Sequence, residues 1–287
     1  DCDLRSVGAI QAALRERAVK TPAGEWIQGF KYDDTKTAER RFLTRADLDA
    51  VSTAHTIHVQ HRGGHTGYVN SLAYERAGIT ESVADPVGGR FERDAAGRLS
   101  GRVTEAAAGM VGDADKRVIT RADQQAGVAE ISRRLAAAGV TSVTDAYGSP
   151  DDLRAYQDAR DAGQLHTRVY CHIGYMHLDR MIEAGVRTGL GDEWVKVGAV
   201  KSTADGSISE RTARLAQPYI GRPNDFGITV MDADVLWPLF QKAHKAGWQI
   251  GTHTNGEVAI DAVATLYERL QTEMPRQDPR FRFEHCT

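Results

Sequence analysis

Trp194-Val195-Lys196-Val197-Gly198-Ala199-Val200-Lys201 is a short run of small and β-branched residues that follows a helical pattern and ends in a titratable side chain. Four other runs have the same form: Val140 to Asp145, Thr167 to His172, Trp248 to His253 and Arg280 to His285. Helical patterns with definite ends lie between them. Thr120, with Asp123 three residues on, makes a capping-box start; Val128, Ile131 and Leu135 share a face, and Gly139 stops the helix. Ser149 caps the next helix, with Pro150 in its first position and Asp152 in its third, and Gly163 closes it. Leu178, Met181 and Ile182 mark a third helix. A fourth runs from Asp232 or Asp234 to Gly247, with Pro238 expected in its first turn, and Ile260, Val263 and Tyr267 mark the last.

Strands alternating with helices imply a parallel sheet with right-handed crossovers. No G-x-G-x-x-G follows the first of these strands, so the nucleotide signature of an open doubly wound sheet is missing. The strands end in Asp145, His172, Lys201, His253 and His285. A (β/α)₈ barrel assembles its active site at the C-terminal ends of its strands, which suits this pattern. The expected fold class is therefore α/β, a partial (β/α)₈ TIM barrel, since five strands are legible where a closed barrel has eight.

Outward from this region the pattern weakens. Before about residue 115 short apolar runs are separated by glycines and charged clusters. One helix is credible there, with Ser6 as cap and Val7, Ile10, Leu14 and Ala18 at helical spacing, and Thr56 to His61 alternates as a strand would. The whole chain has 287 residues, 41% hydrophobic and 26% charged, which suits a globular protein with a substantial core. Its formal net charge of -3 supplies no general attraction for a phosphate backbone, so nucleic acid is not expected as a partner. No apolar run has the length of a membrane span, and no signal-peptide pattern opens the sequence. The start at Asp1 rather than Met suggests that a further segment precedes it. Cys2, Cys171 and Cys286 are an odd, widely spaced set with no C-x-x-C, which favours a reducing, cytoplasmic setting over a disulfide framework.

Three groups of residues could carry chemistry. His253 and His285, each at the end of an apolar strand, could share one metal ion as neutral imidazoles; Glu284 would point to the opposite face from His285. Lys201 reads as a solvent-reaching lysine, a Schiff-base nucleophile, or a carbamylated oxygen ligand, and spacing does not separate these. Asp205, Gly206, Ser207 and Arg211 lie in a long connection of the kind that forms lids and binding loops. His55, His58, His61 and His65 crowd together, yet their spacing does not put three imidazoles on one strand face; His65, among Gly63, Gly64 and Gly67, is the most suggestive.

Several separated motifs resemble amidohydrolase family 3, the branch that contains N-substituted formamide deformylase. They are Gly63-Gly-His65 through Asn70-Ser71, Asp85-Pro86-Val-Gly-Gly89, Gly97-Arg-Leu-Ser-Gly101, Glu105-Ala106, Gly139 to Asp145, Lys201-Ser-Thr-Ala-Asp205-Gly206-Ser207, His253-Thr-Asn-Gly256 and Glu284-His285-Cys286. The resemblance implies a metal-dependent hydrolase of amide or related C–N bonds. It implies that the five strands are barrel strands two to six within 116–287, and that 1–115 is a cap subdomain inserted between strands one and two. It implies that Lys201, carboxylated, and His253 and His285 bind one or two divalent ions, zinc foremost, and that His65, Asp205 and Arg211 face a small-molecule substrate. The family's H-x-H on strand one and its general-base Asp on strand eight have no counterpart here, so the chain is expected to be an internal portion with little turnover alone, with sheet edges that another copy could cover. The rival expectations are a Schiff-base lyase using Lys201 and a non-catalytic small-ligand module.

Overall fold

A computed structural model of the chain describes residues 1–112 and 118–287. The chain forms two compact units, Asp1–Lys116 with Asp205–Val230, and Arg117–Ala204 with Met231–Thr287. The boundary expected at 115/116 lies outside the described residues. Residues 205–230, read from the sequence as part of the barrel portion, pack with the first unit, where Arg90 binds both Asp225 and the Gly227 carbonyl.

The first unit contains α1 (Val7–Val19), β1 (Trp26–Tyr32), α2 (Arg45–Asp49), β2 (Thr56–His61), β3 (Thr66–Val69), α3 (Ser71–Arg76), β4 (Gly89–Arg93), β5 (Leu99–Glu105) and α4 (Ala106–Gly112). Ser6 caps α1 by accepting from the Ala9 N–H, and Val7, Ile10 and Leu14 form its buried face, as expected. The strand expected at Thr56 to His61 is β2, with the same bounds; the sequence did not make legible the five-stranded mixed sheet around it, ordered β1-β2-β3-β5-β4. β1 and β2 run parallel and the remaining pairs antiparallel. Ile10, Leu14, Ile27, Leu48, Ile57, Val59 and Tyr68 form one core, and Val69, Tyr74, Phe91, Leu99 and Val103 a second. Each such side chain contributes about 1.5–3 kcal/mol by leaving water.

The second unit contains α5 (Arg121–Ala137), β6 (Ser142–Gly148), α6 (Pro150–Asp161), β7 (Arg168–Gly174), α7 (Leu178–Glu183), β8 (Val195–Thr203), α8 (Ala233–Lys245), β9 (Ile250–Thr254), α9 (Glu257–Glu273) and β10 (Arg282–His285). Thr120 with Asp123, and Ser149 with Asp152, form complete capping boxes. All four strand pairs are parallel, in the order β10-β9-β8-β7-β6. The sheet is curved into a half-barrel: His172 on β7 comes within 3.4 Å of Glu284 on β10, although β8 and β9 lie between them. Two glycines make room for this crossing. A Cβ on Gly198 would meet His172 Nδ1 at 2.4 Å, and one on Gly251 would meet Glu284 Oε1 at 3.2 Å. β6 and β10 are the open edges.

Two local expectations change. Pro238 lies in the second turn of α8, beyond the first turn; the carbonyl it leaves without an N–H belongs to exposed Asp234, which water can reach. In α5 the face of Val128, Ile131 and Leu135 stays largely open, with Ile131 51% exposed and Ser132 the only buried residue.

Candidate functional site

In the second unit the candidate groups come from β8, β9 and β10, which are successive neighbours. Lys201 sits near the end of β8, beside Gly174 on one flank and Gly251 on the other, so no side chain from either adjacent position crowds it. It is buried; its Nζ donates to the Ser202 carbonyl at 3.2 Å and lies 5.5 Å from the centre of the Tyr147 ring. Among the described residues it forms no ion pair. Burial pulls its pKa down to about 8, with the charge of Glu284 opposing the shift. Part of the population is thus a neutral, nucleophilic amine near neutral pH.

His253 is buried near the end of β9, where its Nε2 accepts from the Asn255 amide at 3.1 Å, an arrangement that requires an unprotonated ring nitrogen. Asn255 is itself held by the Thr287 hydroxyl. His285 closes β10 with φ at 74°, a left-handed conformation that interrupts the strand's alternation. Its ring centre lies 4.5 Å from that of His253, at 64° between planes. The two histidines singled out by sequence are therefore brought together.

Glu284 is aligned with His253 across the ladder and shares its face. Its carboxylate is committed to neighbours: His172, whose Nδ1 accepts from the Ala199 N–H at 2.7 Å and whose Nε2 therefore faces Glu284 as a donor, and Arg282 at 2.7 Å. His172 first, and Arg282 with it, hold Glu284 down at about 2. Asp145 accepts from the Tyr156 hydroxyl at 2.7 Å. Of the five residues expected at strand ends, Asp145 lies in the middle of β6 and His172 within β7, both in the packing of the half-barrel, while Lys201, His253 and His285 lie at or near the ends of three adjacent strands.

The other sequence candidates belong to the first unit. His65 faces Glu105, with Nδ1 2.9 Å from the carboxylate, and its backbone N–H donates to Glu210. Asp205 is fully buried and accepts from the Arg214 N–H. Arg211 donates from both terminal nitrogens to Asp34 Oδ2, each at 3.1 Å, so its guanidinium is tied to a carboxylate of this unit. Of the clustered histidines, His55 bonds Ser52 and the Thr21 carbonyl and His58 faces Gln28, which separates them from His65.

Sequence reading missed one grouping. Asp33, Asp34 and His61 place a potential ligand atom each within 4.8 Å of one another, all buried. The available signal was that Asp33 and Asp34 directly follow β1, His61 ends β2, and Tyr32 and His61 are register partners on these parallel strands.

No helix among the described residues is long and apolar enough to cross a membrane. The chain is 29% identical over 284 residues to Protein LONG AFTER FAR-RED 3 of Arabidopsis thaliana, an alignment covering 95% of this chain and 48% of that protein. It is 25% identical over 299 residues to the N-substituted formamide deformylase of Arthrobacter pascens, covering 100% of this chain and 54% of that enzyme. It spans about half the length of the curated relatives it matches. Its fold is similar to that of an uncharacterized metal-dependent hydrolase from Pyrococcus horikoshii OT3, with a TM-score of 0.62 and 22% identity over 93% of this chain and 51% of the other. The sequence profile of the amidohydrolase family Amidohydro_3 matches residues 1–287 without interruption, and the chain belongs to that family.

Proposed function

We propose that this chain carries part of the active site of a metal-dependent hydrolase that cleaves a C–N bond of an amide or formamide-like substrate. The observation that carries the reading is the ring contact between His253 and His285, on strands next to the one that buries Lys201. The donor set fits a divalent cation. His253 and His285 bring two imidazoles into ring contact, and Lys201 is a buried amine with no ion pair among the described residues.

Lys201, His253 and His285 would hold the ion, zinc being the first choice for such donors. When bound it supplies Lewis acidity, making water nucleophilic near neutral pH and polarising the carbonyl of the scissile bond. The chain's own residues provide the rest. Lys201, in its neutral form, can add to carbon dioxide; the new N–C bond gives a carbamate, the displaced proton goes to solvent, and the side chain becomes an oxygen donor. Asn255 orients His253, and His172 with Arg282 keeps Glu284 ionised and occupied. In the first unit Glu105 holds His65, and Arg211 and Asp205 hold the 205–230 segment in place.

Metal analysis of the purified chain and of His253→Ala tests this reading. The expected result is bound zinc or a similar ion that His253→Ala loses; equal metal in both removes His253 from the site. The depressed amine of Lys201 also favours a second reading, a Schiff-base lyase. Borohydride trapping of a carbonyl substrate on Lys201 would establish that chemistry in place of hydrolysis.

A further inference from the structure

The first unit buries a set of charges that do not balance. Asp33 pairs with Arg62 at 2.9 Å and Asp34 with Arg211 at 3.1 Å. His61 lies between Asp34 Oδ1 at 3.7 Å and Glu210 Oε1 at 3.4 Å, while Glu105 lies against His65. Four carboxylates, Asp33, Asp34, Glu105 and Glu210, thus face two guanidiniums, Arg62 and Arg211, leaving two negative charges to be met.

The separations around His61 are too long for the bonds that would meet them. A charge-assisted N–H···O bond closes to about 2.7–2.9 Å, yet the Asp34 contact stands at 3.7 Å. Two donors sharing one tetrahedral ion at about 2.0–2.1 Å would stand roughly 3.3 Å apart, much nearer to what is seen. Among the described residues Asp34 Oδ1, His61 Nε2 and Glu210 Oε2 are buried with no hydrogen-bond partner, and each of the three residues is 2% exposed or less. Glu210 stands outside the Asp33, Asp34 and His61 grouping, with its Oε1 3.4 Å from His61 Nδ1, so its carboxylate borders the three.

We propose that Asp33, Asp34 and His61 form a divalent-cation site inside the first unit, bordered by Glu210. Two carboxylates and one imidazole suit zinc or manganese. A single ion of charge two would balance the surplus that His61 and His65 could otherwise meet only by both taking up protons. The ion would tie the ends of β1 and β2 to the 205–230 segment through Asp34 and Arg211, which makes its role structural.

The site can be measured apart from Lys201, His253 and His285. The chain carrying His253→Ala and His285→Ala is stripped with a chelator and dialysed against zinc or, separately, manganese. About one bound equivalent is expected, lost when His61→Gln is added, with Asp34→Asn weakening affinity by roughly tenfold or more. Circular dichroism establishes that each variant is folded. A second readout on the otherwise unaltered chain is the His61 imidazole resonance, expected to shift with zinc and to broaden with manganese. Retention of the equivalent in folded His61→Gln overturns the proposal. So does a His61 resonance that titrates as an imidazolium and ignores saturating zinc, which would assign the balance to protons. Should Asp34→Asn not fold, His61→Gln and the resonance decide between these outcomes.

Discussion

The two units bury charge in opposite ways. The first places Asp33, Asp34 and Glu210 inside, against Arg62, Arg211 and His61, in a network whose carboxylates outnumber its guanidiniums. The second buries Lys201 among glycines and a tyrosine ring, with no ion pair among the described residues. Removing charge from water is costly unless the group is paired or changes its protonation state. The first unit meets that cost in part by pairing, and the second meets it at Lys201 by depressing a pKa. A paired network is hard to dismantle, whereas a lone depressed amine is unstable where it sits and available for chemistry.

The largest effect that would break this comparison comes from the first unit. Asp34→Ala leaves Arg211 and His61 without their carboxylate and should destabilise the chain by about 3–5 kcal/mol, read by urea unfolding. A loss under 1 kcal/mol would mean that the network contributes little.

The second unit predicts a change of the opposite sign. Lys201→Met keeps the volume and removes the charge, so stability should be unchanged or rise by about 1–3 kcal/mol while the ion proposed for Lys201, His253 and His285 is lost. A variant that unfolds would show Lys201 to be a structural residue instead.

The pH dependence of stability sharpens the contrast and belongs to the first unit. Burial disfavours His61 as a cation, but Asp34 and Glu210 outweigh it and raise its pKa. Burial pulls Asp34 and Glu210 upward, but His61 lowers both, with Arg211 adding to the effect on Asp34. In metal-free protein the His61 contribution is therefore complete below the imidazole's unfolded value and is lost as pH rises through its raised folded value. The carboxylate contributions are present above their unfolded values and are lost as pH falls through their depressed folded values. Unfolding followed across pH should show a plateau between these limits, and His61→Gln should remove the decline on its alkaline side. A decline unchanged in His61→Gln would assign it to other groups.

The smallest expected effect is a control. Ser149→Ala removes a helix cap remote from both charge patterns and should cost about 1 kcal/mol with no change in metal content.

The second unit was far more legible in the sequence than the first. Its helices carry capping boxes at Thr120 and Ser149, and its strands are short β-prone runs that alternate regularly with those helices. The first unit's strands mix polar and apolar positions over short lengths, and its β1 and β2 are joined through a helix of only five residues, so neither period stands out. Within the site, His253 and His285 could be singled out because each ends an apolar run. Glu284 was placed on the face opposite His285, but His285 leaves the strand's alternation at φ 74°, and the two imidazoles meet while Glu284 shares the face of His253.

Residue order fixed what depends on near neighbours: the caps, the alternation of strands and helices in the second unit, the placing of Lys201, His253 and His285 at or near strand ends, and family membership through motifs spread along the chain. Folding decided what depends on residues far apart. It set Glu210 and Arg211 beside Asp34 and His61, and turned His172 toward Glu284 over two glycines. It also drew 205–230 into the first unit. The physical reason is range. Helix caps and alternation act over a few residues, while the pairing of buried charges is settled only when the core closes and water leaves.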